Sequence, residues 1–288
     1  MVRRTSDTVS KLKLHSFQFQ LHNVILFGEA GCGKSSLVNM IVGKDVAKVS
    51  DGGAGCTFRN DRYEATIRDR RFVIYDTAGL NEGDQCRIPH WKAIRELYTL
   101  IRQLDGVSLL VYCMRGRVRE NARANWILFN KVICGGKVPT IAIVTGLEGR
   151  KDPDEWWRIP DNKETFRRHQ INPRAVGCVV SVRGIYNEYQ EVFEKSQTKL
   201  HDLIQEHYLR RPWSEEKDDW FTAIYQNVYT TRLCFPRRRL DYSDRMRRVV
   251  DEFVKETGMP EDDSEKLDGA LLMAENKWRR RKQKRSYA

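Results

Sequence analysis

Gly28, Glu29, Ala30, Gly31, Cys32, Gly33, Lys34 and Ser35 follow the pattern G-x-x-x-x-G-K-[ST], directly after the apolar run Val24-Ile25-Leu26-Phe27. These residue types at this spacing bind phosphate. Glycines let the backbone curl until successive N–H groups point at phosphate oxygens, and a helix starting at the lysine adds its positive N-terminal end. Lys34 is placed to reach the β- and γ-phosphates of a nucleotide and the Ser35 hydroxyl to ligate Mg²⁺, with Ser36 beside it in the first helical turn. A glycine-rich turn with an exposed lysine is the plain alternative, and it leaves the strand before and the helix after unexplained.

A second apolar run, Phe72-Val73-Ile74-Tyr75, leads into Asp76-Thr77-Ala78-Gly79. Taken alone, D-x-x-G is usually a turn. After a buried strand downstream of a phosphate loop, it delivers the Asp76 carboxylate to hold magnesium through water and the Gly79 N–H to meet a γ-phosphate. Between the two motifs, Asp51-Gly52-Gly53-Ala54-Gly55-Cys56-Thr57 reads either as a mobile loop or as one that closes over nucleotide. In the second reading Thr57 offers its hydroxyl to Mg²⁺ and its N–H to the γ-phosphate. Lys34, Thr57 and Gly79 are then the candidates for acting on a transferred phosphoryl group, and Ser35, Thr57 and Asp76 the candidate metal ligands.

The elements that must position these residues alternate. Short β-branched runs at 23–27, 63–67, 72–75, 107–112, 140–145 and 176–181 are separated by helical patterns at 34–42, 91–103, 121–133, 163–169 and 186–209. That alternation predicts an α/β fold, a mostly parallel six-stranded sheet with helices on both faces, over 22–210. After Pro212 only helical stripes remain, such as Met246, Val249, Val250, Phe253 and Val254. We therefore expect a flexible N-terminus at 1–21 and a helical, basic extension at 211–288.

A chain of 288 residues with 40% hydrophobic content buries a substantial core without disulfides or metal staples. Its seven cysteines form no C-x-x-C pair, which argues against a zinc or redox motif and suits a reducing, cytoplasmic setting. No uninterrupted apolar run is long enough for a membrane span or a secretory signal. The net charge of +12 favours anionic partners. Much of it lies in Lys277-Trp278-Arg279-Arg280-Arg281-Lys282-Gln283-Lys284-Arg285, which reads either as a solvated tail or as a contact for an anionic partner, nucleic acid or acidic lipid.

Gly28 to Ser35, Thr57 and Asp76 to Gly79 resemble the Ras-like P-loop GTPases, whose fold is the G domain. Within that family they resemble the branch holding septins, immunity-associated GTPases and chloroplast-envelope Toc receptors, and fungal proteins described only as G domain-containing. The resemblance covers about 22–210. It implies GTP or GDP bound with Mg²⁺ as cofactor, and a guanine-reading box, [NT]-K-x-D, after the fifth strand. Here that strand ends Thr145-Gly146-Leu147-Glu148: Thr145 fits, Glu148 supplies the carboxylate one methylene further out, and Gly146 lacks the lysine that would stack over the base. A competing frame, Gly149-Arg150-Lys151-Asp152, restores an aspartate four residues further along. Ser181-Val182-Arg183 resembles the loop whose backbone N–H meets the guanine oxygen.

The resemblance also implies a water-orienting glutamine just after D-x-x-G, and this chain has Leu80 there. The water must then be placed by a backbone group, by Asn81 or Glu82, or by a partner across a homodimer of G domains, with Arg59 and Arg87 as candidate charge donors. The expectation is GTP binding with slow, Mg-dependent hydrolysis acting as a molecular switch. The alternatives are a nucleotide-binding scaffold with little turnover and a P-loop ATPase.

Overall fold

The structure is a computed structural model that describes residues 21–47, 60–77, 99–101, 103–118, 122–134 and 136–214. Its strands are β1 His22–Phe27, β2 Asn60–Ile67, β3 Arg70–Thr77, β4 Leu109–Arg115, β5 Thr140–Thr145 and β6 Val176–Cys178. They form one sheet in the order β2-β3-β1-β4-β5-β6. All neighbours pair parallel except the β2–β3 hairpin at the edge. The helices are α1 Lys34–Val42, α2 Ala122–Trp126, α3 Glu155–Arg158, α4 Pro160–Arg168 and α5 Gln190–His207, and a π-helical stretch Ile127–Ile133 continues α2.

Parallel strands need crossover helices, so both faces of the sheet are covered and the central strands are buried throughout rather than alternating. All six residues of β1 and β5 are buried. The period of two still decides which face each side chain serves. Ile25, Phe27, Leu110, Tyr112 and Val144 pack with Trp126, Phe129, Trp156 and Phe166 on one side. Val24, Leu26, Leu109, Val111 and Ile143 pack with Leu37, Ile41, Phe193, Leu200 and Ile204 on the other. Phe27 lies face to face with Phe129, ring centroids 4.1 Å apart.

The expected α/β sheet is present, with shifted ends that have local causes. The strand expected at 107–112 runs Leu109–Arg115, because Val107 pairs instead with Trp213 and the Ser108 N–H donates to the Asn23 carbonyl. The strand expected at 176–181 ends at Cys178, where the chain turns to α5 and the Val180 N–H donates to Ser196 Oγ at 3.1 Å. The helix expected at 186–209 starts only at Gln190, after positive-φ turns at Gly184 and Asn187. That expected at 163–169 starts at Pro160, whose fixed φ suits a first turn. Within 121–133 the second half is π-helical, and the short α3 was not anticipated. Most of the helix expected at 91–103, and nearly all of the C-terminal extension, lie outside the described residues.

Helix α5 braces the sheet from the α1 side. Gln197 Nε2 and Gln205 Nε2 donate to the Met40 and Ile67 carbonyls at 2.7 and 2.8 Å, and His201 Nε2 meets the Ile41 carbonyl at 3.0 Å. Past α5 the chain returns to the starting end of the central strands. The Leu209 N–H donates to the Ser108 carbonyl, and Val107 and Trp213 exchange two N–H···O bonds, all at 2.8 Å.

Candidate functional site: the phosphate loop and its neighbours

The loop after β1 turns sharply because Gly28 (φ 147°), Gly31 (φ 70°) and Gly33 (φ 92°) hold positive φ. Two of these positions need glycine for space as well as for conformation. A Cβ on Gly28 would run into the Cys113 carbonyl of β4, and one on Gly33 would press on the Thr145 hydroxyl at 3.1 Å. The loop is thus laid tightly over the ends of β4 and β5. Gly33 then opens α1, and the Leu37 N–H closes the first turn on its carbonyl at 2.9 Å. Gly43, left-handed, closes the other end, its N–H on the Asn39 carbonyl.

Lys34 is buried, and its ammonium donates to the Gly28 and Glu29 carbonyls at 3.1 and 2.9 Å, curled along the loop it serves. Ser35 Oγ donates to Asp76 Oδ2 at 3.0 Å. Asp76 lies at the end of β3, register-paired with Leu26 of β1, so the sheet itself brings the carboxylate to the phosphate loop. Burial raises the Asp76 carboxyl above its ordinary value, while the Lys34 charge and the Ser35 bond pull it back. A hydroxyl and a carboxylate converging beside a lysine at a helix N-terminus form a hard oxygen donor set that fits Mg²⁺ and phosphate.

Thr145, expected as a base contact, is buried and turned toward the loop. Its hydroxyl donates to the Cys32 carbonyl at 2.7 Å and lies 3.3 Å from the Met114 carbonyl. Cys113 Sγ approaches the same Cys32 carbonyl at 2.9 Å, and burial pushes the Cys113 thiol up. Two strand ends therefore hold the loop by one carbonyl. Sequence reasoning missed Cys113 here, since only a register between strands could reveal it.

Of the two frames for the base-reading carboxylate, the structure engages one locally. Asp152 Oδ1 accepts the Asp154 N–H at 3.0 Å and Oδ2 accepts Arg158 Nη1 at 2.7 Å, which ties it into the turn before α3. These two bonds, the Asp154 N–H first, hold its carboxyl below the ordinary value. Glu148 is half-buried in the loop after β5 and makes no ion pair among the described residues. Ser181 is buried and Val182 exposed, in a segment fixed by Arg183, whose guanidinium lies 4.2 Å from the Phe193 ring centre.

The structure brings together the loop Gly28, Glu29, Ala30, Gly31, Cys32 and Gly33, then Lys34, Ser35, Ser36, Asp76 and Thr145. Glu148, Ser181 and Val182 lie on the loops that follow β5 and β6, at the same end of the sheet. Thr57, Gly79 and Leu80 lie outside the described residues, as do Arg59, Asn81, Glu82, Arg87 and the basic run at 277–285. Beside the loop, a shallow cleft runs between Glu29, Ala30, Gly31 and Cys32 on one side and Met114, Arg115 and Arg117 on the other. Among the described residues no helix is long and apolar enough to cross a membrane.

Residues 23–133 match the family model described as 50S ribosome-binding GTPase. The tRNA modification GTPase MnmE of Legionella pneumophila is 28% identical over 129 residues, 45% of this chain and 27% of that protein. GTPase Der of Campylobacter jejuni is 21% identical over 213 residues, 72% of this chain and 42% of that one. The chain thus spans less than half the length of these curated relatives. The structure of Toc33 from Arabidopsis thaliana in complex with GDP and Mg²⁺ superposes with a TM-score of 0.46 at 18% identity, covering 71% of this chain and 93% of that one. Sheet order and phosphate loop together give this chain the P-loop G-domain fold, and its residues 23–133 are similar to GTPases.

Proposed function

We propose that this domain binds GTP and GDP with Mg²⁺ and hydrolyses GTP slowly, as a molecular switch. The observation that carries the reading is the convergence of Ser35 Oγ and Asp76 Oδ2 at 3.0 Å beside Lys34. On nucleotide binding, Lys34 exchanges its two loop carbonyls for phosphate oxygens. Ser35 and Asp76 would hold the magnesium, with Thr57 completing the set, and the ion would supply charge neutralisation on the β- and γ-phosphates. The N–H groups that open α1 and that of Gly79 face the phosphate oxygens, and positioning with charge stabilisation supplies the catalysis. Glu148 accepts from the guanine ring N–H and amino group, while the backbone at Ser181 and Val182 meets the guanine oxygen.

Leu80 supports slow turnover and a place in the septin, immunity-associated and Toc-type branch, since it cannot orient water. Asn81, Glu82, a backbone group or the second G domain of a homodimer then places the water. Leu80 equally supports a second reading, a cytoplasmic scaffold that holds nucleotide with little turnover. The basic run at 277–285 supports an anionic partner for the extension.

Titration with fluorescent GDP in magnesium, competed by GTP, ATP and GMP, tests the binding claim. Selective competition by GTP is expected; equal competition by ATP would make this a P-loop ATPase or a protein indifferent to the base. Phosphate release measured at several protein concentrations tests turnover. A rate per molecule that rises with concentration fits the homodimer, and no release at any concentration leaves the scaffold.

A further inference from the structure

We propose that Arg115, at the end of β4, is the cation that stacks over the nucleotide base, in place of any side chain from the loop that reads it. The inference rests on the guanine-nucleotide reading above and adds a residue to it. The loop after β5 carries Glu148 but has Gly146 where a covering side chain would stand, and Gly146 holds φ +73°, a conformation that disfavours every side chain.

The space above Gly146 is filled from the neighbouring strand. A Cβ on Gly146 would lie 2.6 Å from Arg115 Cγ, 3.0 Å from Nε and 3.3 Å from Cδ, so the arginine stem crosses the position such a side chain would take. The register places Arg115 opposite Thr145, the residue before Gly146. The strand end is fixed, since Trp156 Nε1 donates to the Gly116 carbonyl at 2.9 Å and Trp156 is itself buried. Arg115 is exposed and lines the cleft against Ala30 and Gly31 of the phosphate loop.

A guanidinium is planar, permanently charged and weakly hydrated, and it stacks on aromatic faces. From this position Arg115 covers one face of a purine whose edge Glu148 reads. The glycine at 146 is thereby the room that the arginine needs, and the missing cation of the base loop is supplied across the strand pair.

The test compares the full chain with R115A, R115Q and R115K by titration with fluorescent GDP in magnesium, competed separately by GDP and by millimolar pyrophosphate, which has phosphates and no base. Melting curves verify that each variant folds, which the exposed position favours. Expected for R115A and R115Q is a loss of GDP affinity of roughly 3- to 30-fold with pyrophosphate affinity unchanged, and for R115K a smaller loss. Unchanged GDP affinity in all three variants overturns the proposal. Equal losses for GDP and pyrophosphate overturn it too, since Arg115 would then act on the phosphates. Wild-type protein that binds no guanine nucleotide overturns the reading of the site itself, and the Arg115 proposal with it.

Discussion

The phosphate end and the base end of this site are built by different means. At the phosphate end the main chain carries recognition: three positive-φ glycines, a helix start and a carbonyl clamped by Thr145 and Cys113. At the base end, in our proposal, three separate elements share the work: the Glu148 side chain after β5, the Ser181–Val182 backbone after β6 and the Arg115 side chain of β4. Backbone recognition tolerates little change in residue type. Side-chain recognition can be handed from one element to another while the geometry is kept.

Removing the lysine charge at the phosphate end sharpens the comparison most. Lys34→Ala is expected to weaken GDP, GTP and ATP alike by roughly 100-fold or more, since charge-assisted bonds to phosphate are lost; the same fluorescence titration reads it. Gly28→Ala attacks the backbone instead. A Cβ there meets the rigid Cys113 carbonyl, and we expect at least ~2 kcal/mol of destabilisation, a drop in melting temperature of roughly 4–8 °C. Glu148→Ala is expected to leave pyrophosphate competition intact and to cut the preference for GTP over ATP by roughly 10- to 100-fold. Thr145→Val breaks the comparison from the other side. It ends β5 just before the base loop but holds the phosphate loop, so the change should cost about 1–2 kcal/mol of stability and weaken all nucleotides equally.

The smallest effect lies far from both ends. Burial, then the Arg70 charge, lowers the His22 imidazole from its ordinary value near 6.5, against a raising bond from Leu209. The folded protein therefore binds fewer protons at this ring than the unfolded chain does. Its contribution is complete above about pH 6.5 and is lost as pH falls through the lowered folded value. Melting temperature recorded from pH 8 to 5 should fall at the acid end, less steeply in His22→Gln. His201, also lowered by burial, keeps the remainder of the slope.

What the sequence makes legible follows the same division. The phosphate loop, Asp76 and the sheet are readable because glycines, a lysine and apolar runs are the only types that satisfy those backbones. The bond from Thr145 to the Cys32 carbonyl is not legible in the sequence, because the two lie 113 positions apart and only the sheet order β1-β4-β5 brings them together. Distance from the strand already favours Glu148 over Asp152 in the sequence, but the bonds that engage Asp152 beside α3 are not legible there, since a four-residue helix is too short to show a period. Arg115 carries no sequence signal, because a cation ending a strand is ordinary until the glycine beneath it is seen.

The pairing of Val107 with Trp213 sets a direction for whatever the remaining chain does. Residue 214 leaves the domain at the starting ends of β1 and β4, a strand length, about 20 Å, from the phosphate loop. Whatever contact begins just beyond that point therefore starts at the opposite end of the sheet from the phosphate loop and Arg115, clear of both.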